Sequence, residues 1–250
     1  MINVVVSGCN GAMGRVLTKA IEEMEDITIV AGIDKNINSY KNTYPVYKSP
    51  LLVKEECDVI IDFSKPSNLS GLLEYSVNNN IALVIATTGF SEEEENKIKE
   101  ASKFTRIFKS SNMSVGVNVL INLSKQATNT LGNIADIEII EKHHNKKVDS
   151  PSGTAQMLAD SINTALGNNL HCEYNRHDKH EARSKNEIGM SSIRGGNIVG
   201  EHTVQFIGNF ETFEIKHTSF SRNVFAEGAL KAAEFIVQQQ QPGLYSMEDM

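Results

Sequence analysis

One stretch in the middle of the sequence, EKHHNKKVDSPSGT at residues 141–154, concentrates side chains that can bind an anion and deliver a proton. Its candidates are two imidazoles, an ammonium group and three small residues: His143, His144, Lys147, Ser152, Gly153 and Thr154. The small residues begin a predicted helix, and the unpaired amides at a helix start bind carboxylates. Because imidazole titrates near neutral pH, the stretch suggests a pocket where an anionic substrate receives a proton. A solvated lysine-rich turn is the alternative.

A metal site is another use that paired histidines could have. The spacing argues against one, because neighbouring residues of a strand point to opposite faces. No third histidine or cysteine stands at a regular offset from His143 and His144, as a zinc site would need. We therefore expect no metal.

A glycine-rich turn, SGCNGAMG, follows the first predicted strand and opens the first predicted helix, with glycines at Gly8, Gly11 and Gly14. Backbone amides there can hold a pyrophosphate at the positive end of the helix dipole. Asp34 stands at the end of the second predicted strand, where a carboxylate accepts from both ribose hydroxyls of NAD. Lys35 beside it could instead pair with a 2′-phosphate. A plain tight turn with a surface aspartate is the alternative.

Three more turns are expected at the same edge, because ligands of open α/β sheets lie beyond the carboxyl ends of the strands. They contain Phe63 after the third strand, Ala86, Thr87 and Thr88 after the fourth, and Ser110, Ser111, Asn112 and Met113 after the fifth. The small residues of the second turn would allow a nicotinamide to approach closely. Taken singly, each turn is more typical of an ordinary connection than of a ligand contact.

The elements that must position these groups alternate strand and helix in the first half of the chain. β-Branched runs bounded by turn residues predict strands at Ile2–Ser7, Thr28–Asp34, Asp58–Phe63, Ile81–Thr87 and Thr105–Phe108. Helices are predicted at Met13–Glu25, Ser67–Asn78 and Ser91–Lys103. The last opens with Ser91 and a run of glutamates, a typical helix start. This alternation predicts an α/β fold with a Rossmann-like, doubly wound parallel sheet.

After about Asn112 the pattern becomes that of a separate α+β domain with a mixed or antiparallel sheet. Helices are predicted at Val115–Leu131 and from about Gly153 to Ala165. Strands are predicted at Asp136–Lys142, Ile188–Ile193, Gly200–Ile207 and Phe210–Phe220. Residues 168–187 are polar and are predicted to form an exposed loop. An amphipathic helix is predicted for Asn223–Gln239.

Composition and charge limit the classes of partner. Thirty-one acidic against twenty-four basic residues give a net charge of −7, which argues against binding to nucleic acid or an anionic membrane. The longest apolar run, Ile81–Ala86, is far shorter than the ~20 residues of a membrane span. Three scattered cysteines and no visible secretory leader predict a protein of the reducing cytoplasm.

Six motifs together resemble the 4-hydroxy-tetrahydrodipicolinate reductase (dihydrodipicolinate reductase) family over essentially the whole chain. They are SGCNGAMGR, VIIDFSKP, ATTGF, NMSVGVNV, EIIEKHHNKKVDSPSGTA and RGGNIVGEHTV. The fifth is the most specific, because it matches the family's E-H-H-x-x-K-x-D-x-P-S-G-T-A core, with Lys142 ahead of the histidines. The resemblance implies reduction of 4-hydroxy-tetrahydrodipicolinate to tetrahydrodipicolinate with NADH or NADPH, in diaminopimelate and lysine biosynthesis.

The resemblance also implies a role for each candidate residue. His143 would be the general acid and Lys147 a second catalytic group. The dicarboxylate substrate would be held by His144, Ser152, Gly153 and Thr154. The pyrophosphate would be lined by Gly8, Asn10, Gly11, Ala12, Met13 and Gly14, and the ribose by Asp34 and Lys35. The nicotinamide half would be surrounded by Ala86, Thr87 and Thr88 with Ser110 to Met113.

Two positions depart from the family's pattern. Ala86 stands where many members have glycine, which would tighten the approach to the coenzyme. Asp34 and Lys35 stand where some members have an acid followed by arginine. The preference between NADH and NADPH is therefore left open.

The organisation predicted from these observations is two domains. Residues 1–112, completed by a C-terminal helix within residues 224–250, would bind the dinucleotide. Residues 113–223 would bind the substrate, and the resemblance implies that their sheet assembles a homotetramer. An aspartate-semialdehyde-type dehydrogenase is rejected, because Cys172 lacks the neighbours of a nucleophile. An NAD(H)-binding regulatory module without catalysis is the remaining alternative, although it gives no reason for imidazoles, lysine and an anion site in one stretch.

Overall fold

The computed structural model describes all 250 residues and divides the chain into two compact units. Unit 1 contains Met1–Ser114 and Arg222–Met250, and unit 2 contains Val115–Ser221. The two changes of domain expected after residues 112 and 223 lie two residues from these limits. None of the helices is long and apolar enough to cross a membrane.

Unit 1 is built on one parallel sheet. Its strands are β1 (Ile2–Ser7), β2 (Ile27–Ile33), β3 (Val46–Tyr47), β4 (Val59–Asp62), β5 (Ala82–Ile85), β6 (Arg106–Lys109) and β12 (Gly243–Tyr245). They pair in the order β12-β6-β5-β4-β1-β2-β3, and every pairing is parallel. The prediction of a doubly wound parallel sheet is therefore confirmed. The two outermost strands, β3 and β12, were not predicted, because runs of two and three residues are too short to show a strand period.

Helices cover both faces of this sheet. They are α1 (Ala12–Glu22), α2 (Leu69–Asn79), α3 (Glu92–Ala101) and α6 (Asn223–Gln238). Successive strand residues point to opposite faces, so Val4 packs in a core with α1 and α6, whereas Val5 packs in a core with α2 and α3. The predicted start of α3 is confirmed by a capping box between Ser91 and Glu94.

Unit 2 is an α+β unit with a mixed sheet, as predicted. Its elements are α4 (Val115–Leu131), β7 (Asp136–His143), α5 (Gly153–Ala165), β8 (His171–Glu173), β9 (Glu187–Arg194), β10 (Gly200–Ile207) and β11 (Thr212–Ser219). The strand order is β11-β10-β7-β9-β8, antiparallel on the β10 side of β7 and parallel on the β9 side. Residues of α4 and α5 pack on one face of this sheet around Ile139, Val204 and Phe206.

One prediction for this unit is wrong. Residues 168–187 do not form only an exposed loop, since β8 lies within them and pairs in parallel with β9. Cys172 of β8 is half-buried and packs against the core of the unit. A three-residue edge strand among polar residues carries too little alternation to be recognised from sequence.

Candidate active site

The glycine-rich turn after β1 has a backbone that only glycine can form. Gly8 has a φ of +77°, and a Cβ on it would lie 2.7 Å from the carbonyl oxygen of Phe63. A Cβ on Gly14 would lie 2.1 Å from the carbonyl oxygen of Gly8, so glycine at this position allows the first turn of α1 to pack directly against the glycine turn. The structure therefore brings the predicted Phe63, at the end of β4, against the glycine turn.

The start of α1 is suited to an anion. Gly11 is its N-cap residue, no side chain caps the helix, and no acidic residue stands in its first turn. The first amides of a helix have no acceptor within the helix itself. Ala12 and Met13 supply such amides, and the positive end of the helix dipole favours an anion there.

Asp34 lies against this turn, as predicted. Its carboxylate accepts hydrogen bonds from the backbone amides of Asn10 at 3.1 Å and Asn36 at 2.9 Å. The amide side chain of Asn10 donates to the carbonyl oxygen of Asn36 at 2.7 Å, which fixes the turn from the other side. A carboxylate has about four lone-pair directions, so Asp34 retains capacity to accept from hydroxyl groups. Lys35 is exposed beside it.

The turns after β4 and β5 are joined by a buried carboxyl group that the sequence analysis did not select. Asp62 is 1% exposed and accepts hydrogen bonds from the Thr87 hydroxyl at 2.6 Å and the Ser64 amide at 3.2 Å. Burial raises the pKa of Asp62 above its usual range, and these hydrogen bonds partly oppose the rise. The available signal was an aspartate ending an apolar strand at the sheet edge where ligands bind. Ala86 is half-buried and Thr88 exposed beside it.

The turn after β6 is held by short local hydrogen bonds. The Ser110 hydroxyl donates to the Asn112 carbonyl oxygen at 2.7 Å, while Ser111 is exposed. Met113 is buried in the core beneath α6, and a Cβ on Gly228 would lie 1.6 Å from its carbonyl oxygen. The Met113 side chain thus packs in the protein interior.

His143 is the last residue of β7, and its imidazole is oriented by a carboxylate on the same strand. Its Nδ1 lies 2.5 Å from Oε2 of Glu141, two residues earlier and therefore on the same face. The ring of His202, on the neighbouring strand β10, stands edge-on with a centroid separation of 5.1 Å. Burial lowers the pKa of His143, Glu141 opposes this effect, and Lys147 and Arg194 lower the pKa further.

Glu141 itself is completely buried and multiply bonded. Both terminal nitrogens of Arg194 donate to it, at 2.8 and 2.7 Å, and the Ser152 amide donates at 3.2 Å. Burial opposes ionisation, but the hydrogen bonds from Arg194, Ser192 and His143 outweigh it and lower the pKa of Glu141 to about 2. The side chain is therefore a carboxylate at any pH near neutrality.

The residues after His143 form a turn instead of continuing the strand. The Lys147 amide donates to the His144 carbonyl oxygen at 3.1 Å, so the opposite-face argument applied to the two histidines does not hold beyond His143. Lys147 is half-buried, with Nζ 2.9 Å from the Asp149 carboxylate, whereas Lys146 is exposed. The Nδ1 atom of His144 is buried and has no hydrogen-bond partner in the chain.

The three small residues at the start of α5 differ in their burial and in their contacts. Ser152, 2% exposed, is the N-cap, and its hydroxyl bonds with the Ala155 amide and with Nε2 of His202 at 2.9 Å. Since its amide also donates to Glu141, Ser152 connects the start of α5 to strands β7 and β10. Gly153 is exposed, with open space around it, and Thr154 is half-buried beside it.

His202 was not selected from the sequence. Burial, followed by the charge of His143, lowers its pKa to about 4, so its imidazole is neutral near pH 7. Its sequence signals were its place in the motif RGGNIVGEHTV and the alternation in that strand, which puts it on the inner face with Val204.

A parallel sheet with such a turn, joined to a mixed-sheet unit with an imidazole–carboxylate cluster, defines a class, the two-domain nicotinamide-dependent oxidoreductases. Family models described as "Dihydrodipicolinate reductase, N-terminus" and "Dihydrodipicolinate reductase, C-terminus" match residues 2–113 and 116–250. The chain belongs to the dihydrodipicolinate reductase family.

Individual relatives match this chain over its whole length. Proteins named 4-hydroxy-tetrahydrodipicolinate reductase from Caldanaerobacter subterraneus subsp. tengcongensis and Clostridium tetani are 50% and 49% identical, covering 100% of this chain and 98% and 97% of their own. In fold, the chain is similar to a dipicolinate-bound dihydrodipicolinate reductase from Paenisporosarcina sp. TG-14. That structure has a TM-score of 0.83 at 24% identity and covers 100% of this chain and 99% of its own.

Proposed function

We propose that this protein reduces 4-hydroxy-tetrahydrodipicolinate to tetrahydrodipicolinate with NADH or NADPH, a step of diaminopimelate and lysine biosynthesis. Membership of the family over both of its halves supports the substrate and the reaction. The observation that supports catalysis, as opposed to binding alone, is the His143–Glu141 pair beside Lys147. A module that only sensed NAD(H) would not need an oriented imidazole among cations.

The residues of unit 1 fit a dinucleotide. The backbone amides of the glycine turn and of the start of α1, which no side chain caps, can bind a pyrophosphate, and Asp34 can accept from ribose hydroxyls. The remaining contacts are assigned to Asn10, Lys35, Phe63, Ala86, Thr87, Thr88, Ser110, Ser111, Asn112 and Met113. Since the Met113 side chain is buried, its contact would come from the backbone. When bound, the reduced nicotinamide supplies a hydride to the substrate.

The residues of unit 2 then bind the dicarboxylate and deliver a proton. His143 donates from Nε2, because its Nδ1 is held by the Glu141 carboxylate. Lys147 exchanges its contact with Asp149 for one carboxylate of the substrate. The backbone amides of Gly153 and Thr154 bind the second carboxylate. The partnerless Nδ1 of His144 offers one further polar contact.

A turnover assay decides between an enzyme and a sensor. The freshly formed cyclic substrate is mixed with the protein and either coenzyme, and loss of the reduced nicotinamide absorbance is followed. Substrate-dependent oxidation of NADH or NADPH is expected. Tight coenzyme binding without any turnover would refute the enzyme and favour the regulatory module.

We also propose that this reductase works in the cytoplasm as a homotetramer built on the mixed sheet. Its three cysteines are unpaired, which suits a reducing compartment.

The tetramer is proposed from the outer face of the mixed sheet. The two helices of unit 2, α4 and α5, both pack on the inner face of the sheet, so apolar side chains such as Ile193 and Ile207 are exposed on its outer face. Further copies would cover that face. Sedimentation of the wild type and of Ile207→Lys tests this, since the substitution should shift the protein towards smaller species.

A further inference from the structure

The buried carboxylate of Glu141 joins three parts of unit 2 that are distant in sequence. Oε2 contacts His143 on the same strand, both oxygens accept from Arg194 at the end of β9, and Oε1 accepts from the Ser152 amide at the start of α5. A buried charge is costly unless it is paired and hydrogen-bonded. Together with the Ser192 side chain, these donors keep the carboxylate ionised beside His143.

The contact decides which nitrogen of His143 carries the transferable proton. An ionised carboxylate only accepts hydrogen bonds, so Nδ1 must hold its hydrogen towards Glu141. Nε2 is then the atom that gains and loses the second proton. A Cβ on Gly200 would lie 3.2 Å from Nε2, so the glycine at the start of β10 keeps this atom from being crowded.

Arg194 sets how strongly the carboxylate acts on the imidazole. Its two terminal nitrogens neutralise Glu141, and its charge, like that of Lys147, opposes protonation of His143. On the remaining side stands His202 of β10, whose imidazole is neutral near pH 7. His143 therefore titrates among one anion, two cations and one neutral ring.

We propose that Glu141 is a positioning residue for the reduction: it fixes the tautomer and orientation of His143, and Arg194 holds the carboxylate in place and opposes its effect on the imidazole. This rests on the proposed function, in which His143 is the proton donor. The two residues act in opposite directions on the imidazole, because one is an anion and the other a cation.

The test measures kcat/KM against pH for the wild type, Glu141→Gln, Glu141→Asp and Arg194→Gln. A general acid must be protonated, so kcat/KM falls as pH rises through the pKa of His143. Glu141→Gln should move this fall to lower pH by about one unit and Arg194→Gln to higher pH. Glu141→Asp keeps the charge but is one methylene too short, so kcat should drop by up to about 100-fold with an unchanged KM for NADH.

Glu201→Gln is the matched control. Glu201 lies on the adjacent strand and also bonds two cations, Lys142 and Lys216, but no bond joins it to His143. Its substitution should leave the pH profile unchanged. A Glu141→Gln profile equal to that of this control, or shifts of the same sign for Glu141→Gln and Arg194→Gln, would overturn the proposal.

A second measurement keeps the inference separate from the proposed function. The full-length protein with ¹³C-labelled histidine rings is titrated by NMR, and the His143 signal is assigned by its loss in His143→Asn. The pKa of His143 should fall in Glu141→Gln and rise in Arg194→Gln, whether or not the cyclic substrate turns over. Absent turnover refutes the reductase, whereas an unmoved His143 titration refutes the positioning role.

Discussion

Removing the ammonium group of Lys147 should weaken recognition of the substrate much more than removing its neighbour. The Lys147 side chain is 20% exposed, and its partner Asp149 is 53% exposed, so their ion pair is partly solvated. A pair of that kind contributes at most about 1 kcal/mol and competes weakly with a substrate carboxylate. A charge-assisted hydrogen bond contributes about 1.5–3 kcal/mol, which corresponds to a loss of about 10- to 150-fold in kcat/KM for Lys147→Ala.

Lys146 supplies the control from the same turn. It is exposed, and its charge is screened over ~10 Å at moderate salt, so Lys146→Ala should change kcat/KM less than about twofold. The residues of this turn are not extended, so the difference between the two lysines comes from burial and the bond to Asp149.

The assay compares initial rates of both variants at saturating NADH across substrate concentrations, with coenzyme affinity measured separately by fluorescence. The affinity for NADH should stay at the wild-type value in both. Equal losses from the two lysines would mean that the cluster acts only as a diffuse positive field. The specific carboxylate contact proposed for Lys147 would then be wrong.

Three other outcomes are expected. His143→Ala should lower kcat by about 10²–10⁴, the usual cost of losing a general acid, without changing coenzyme affinity. NADH should be preferred to NADPH or used equally well, because Asp34 repels a 2′-phosphate while Lys35 offsets it; a preference for NADPH above about 100-fold in kcat/KM would contradict this. Since the pKa of His202 is about 4 when folded and 6.5 in a model peptide, the unfolded chain binds more protons. His202 should thus contribute about 3 kcal/mol to the fall in the free energy of unfolding from pH 6.5 to pH 4, so the fall measured by urea titration should be smaller by that amount in His202→Gln and unchanged in His177→Gln.

Local patterns in the sequence were enough to locate most of the fold. The β-branched runs and helix starts of unit 1 are signals contained within ten or fifteen residues, and α4 and β10 were predicted at their observed limits. Edge strands β3, β8 and β12 were missed for the opposite reason. They exist because a neighbouring strand offers unpaired backbone groups, a fact absent from their own residues.

The candidate site, like the fold, has parts that local sequence patterns predict and parts that they do not. The glycine turn and the run from His143 to Thr154 were visible because each is contiguous in sequence, and Asp34 because it follows the turn at the spacing that a dinucleotide fingerprint requires. The Arg194 and His202 contacts were not, since they join residues more than fifty positions apart through the register of β7 with β9 and β10. Glu141 was within the recognised motif, but its burial and its contact with His143 are seen only in the structure.

Unit 1 is interrupted by unit 2, and this order affects how the protein is made. Unit 2 is one continuous segment, whereas unit 1 is closed only by residues from Arg222 onwards. Ala226, Ala229 and Ile236 of α6 share a core with Val4 of the first strand. A ribosome therefore completes unit 2 while one apolar face of the earlier sheet is covered by α1 alone and still lacks α6. Until α6 leaves the exit tunnel, that face is a binding site for chaperones and a risk for aggregation.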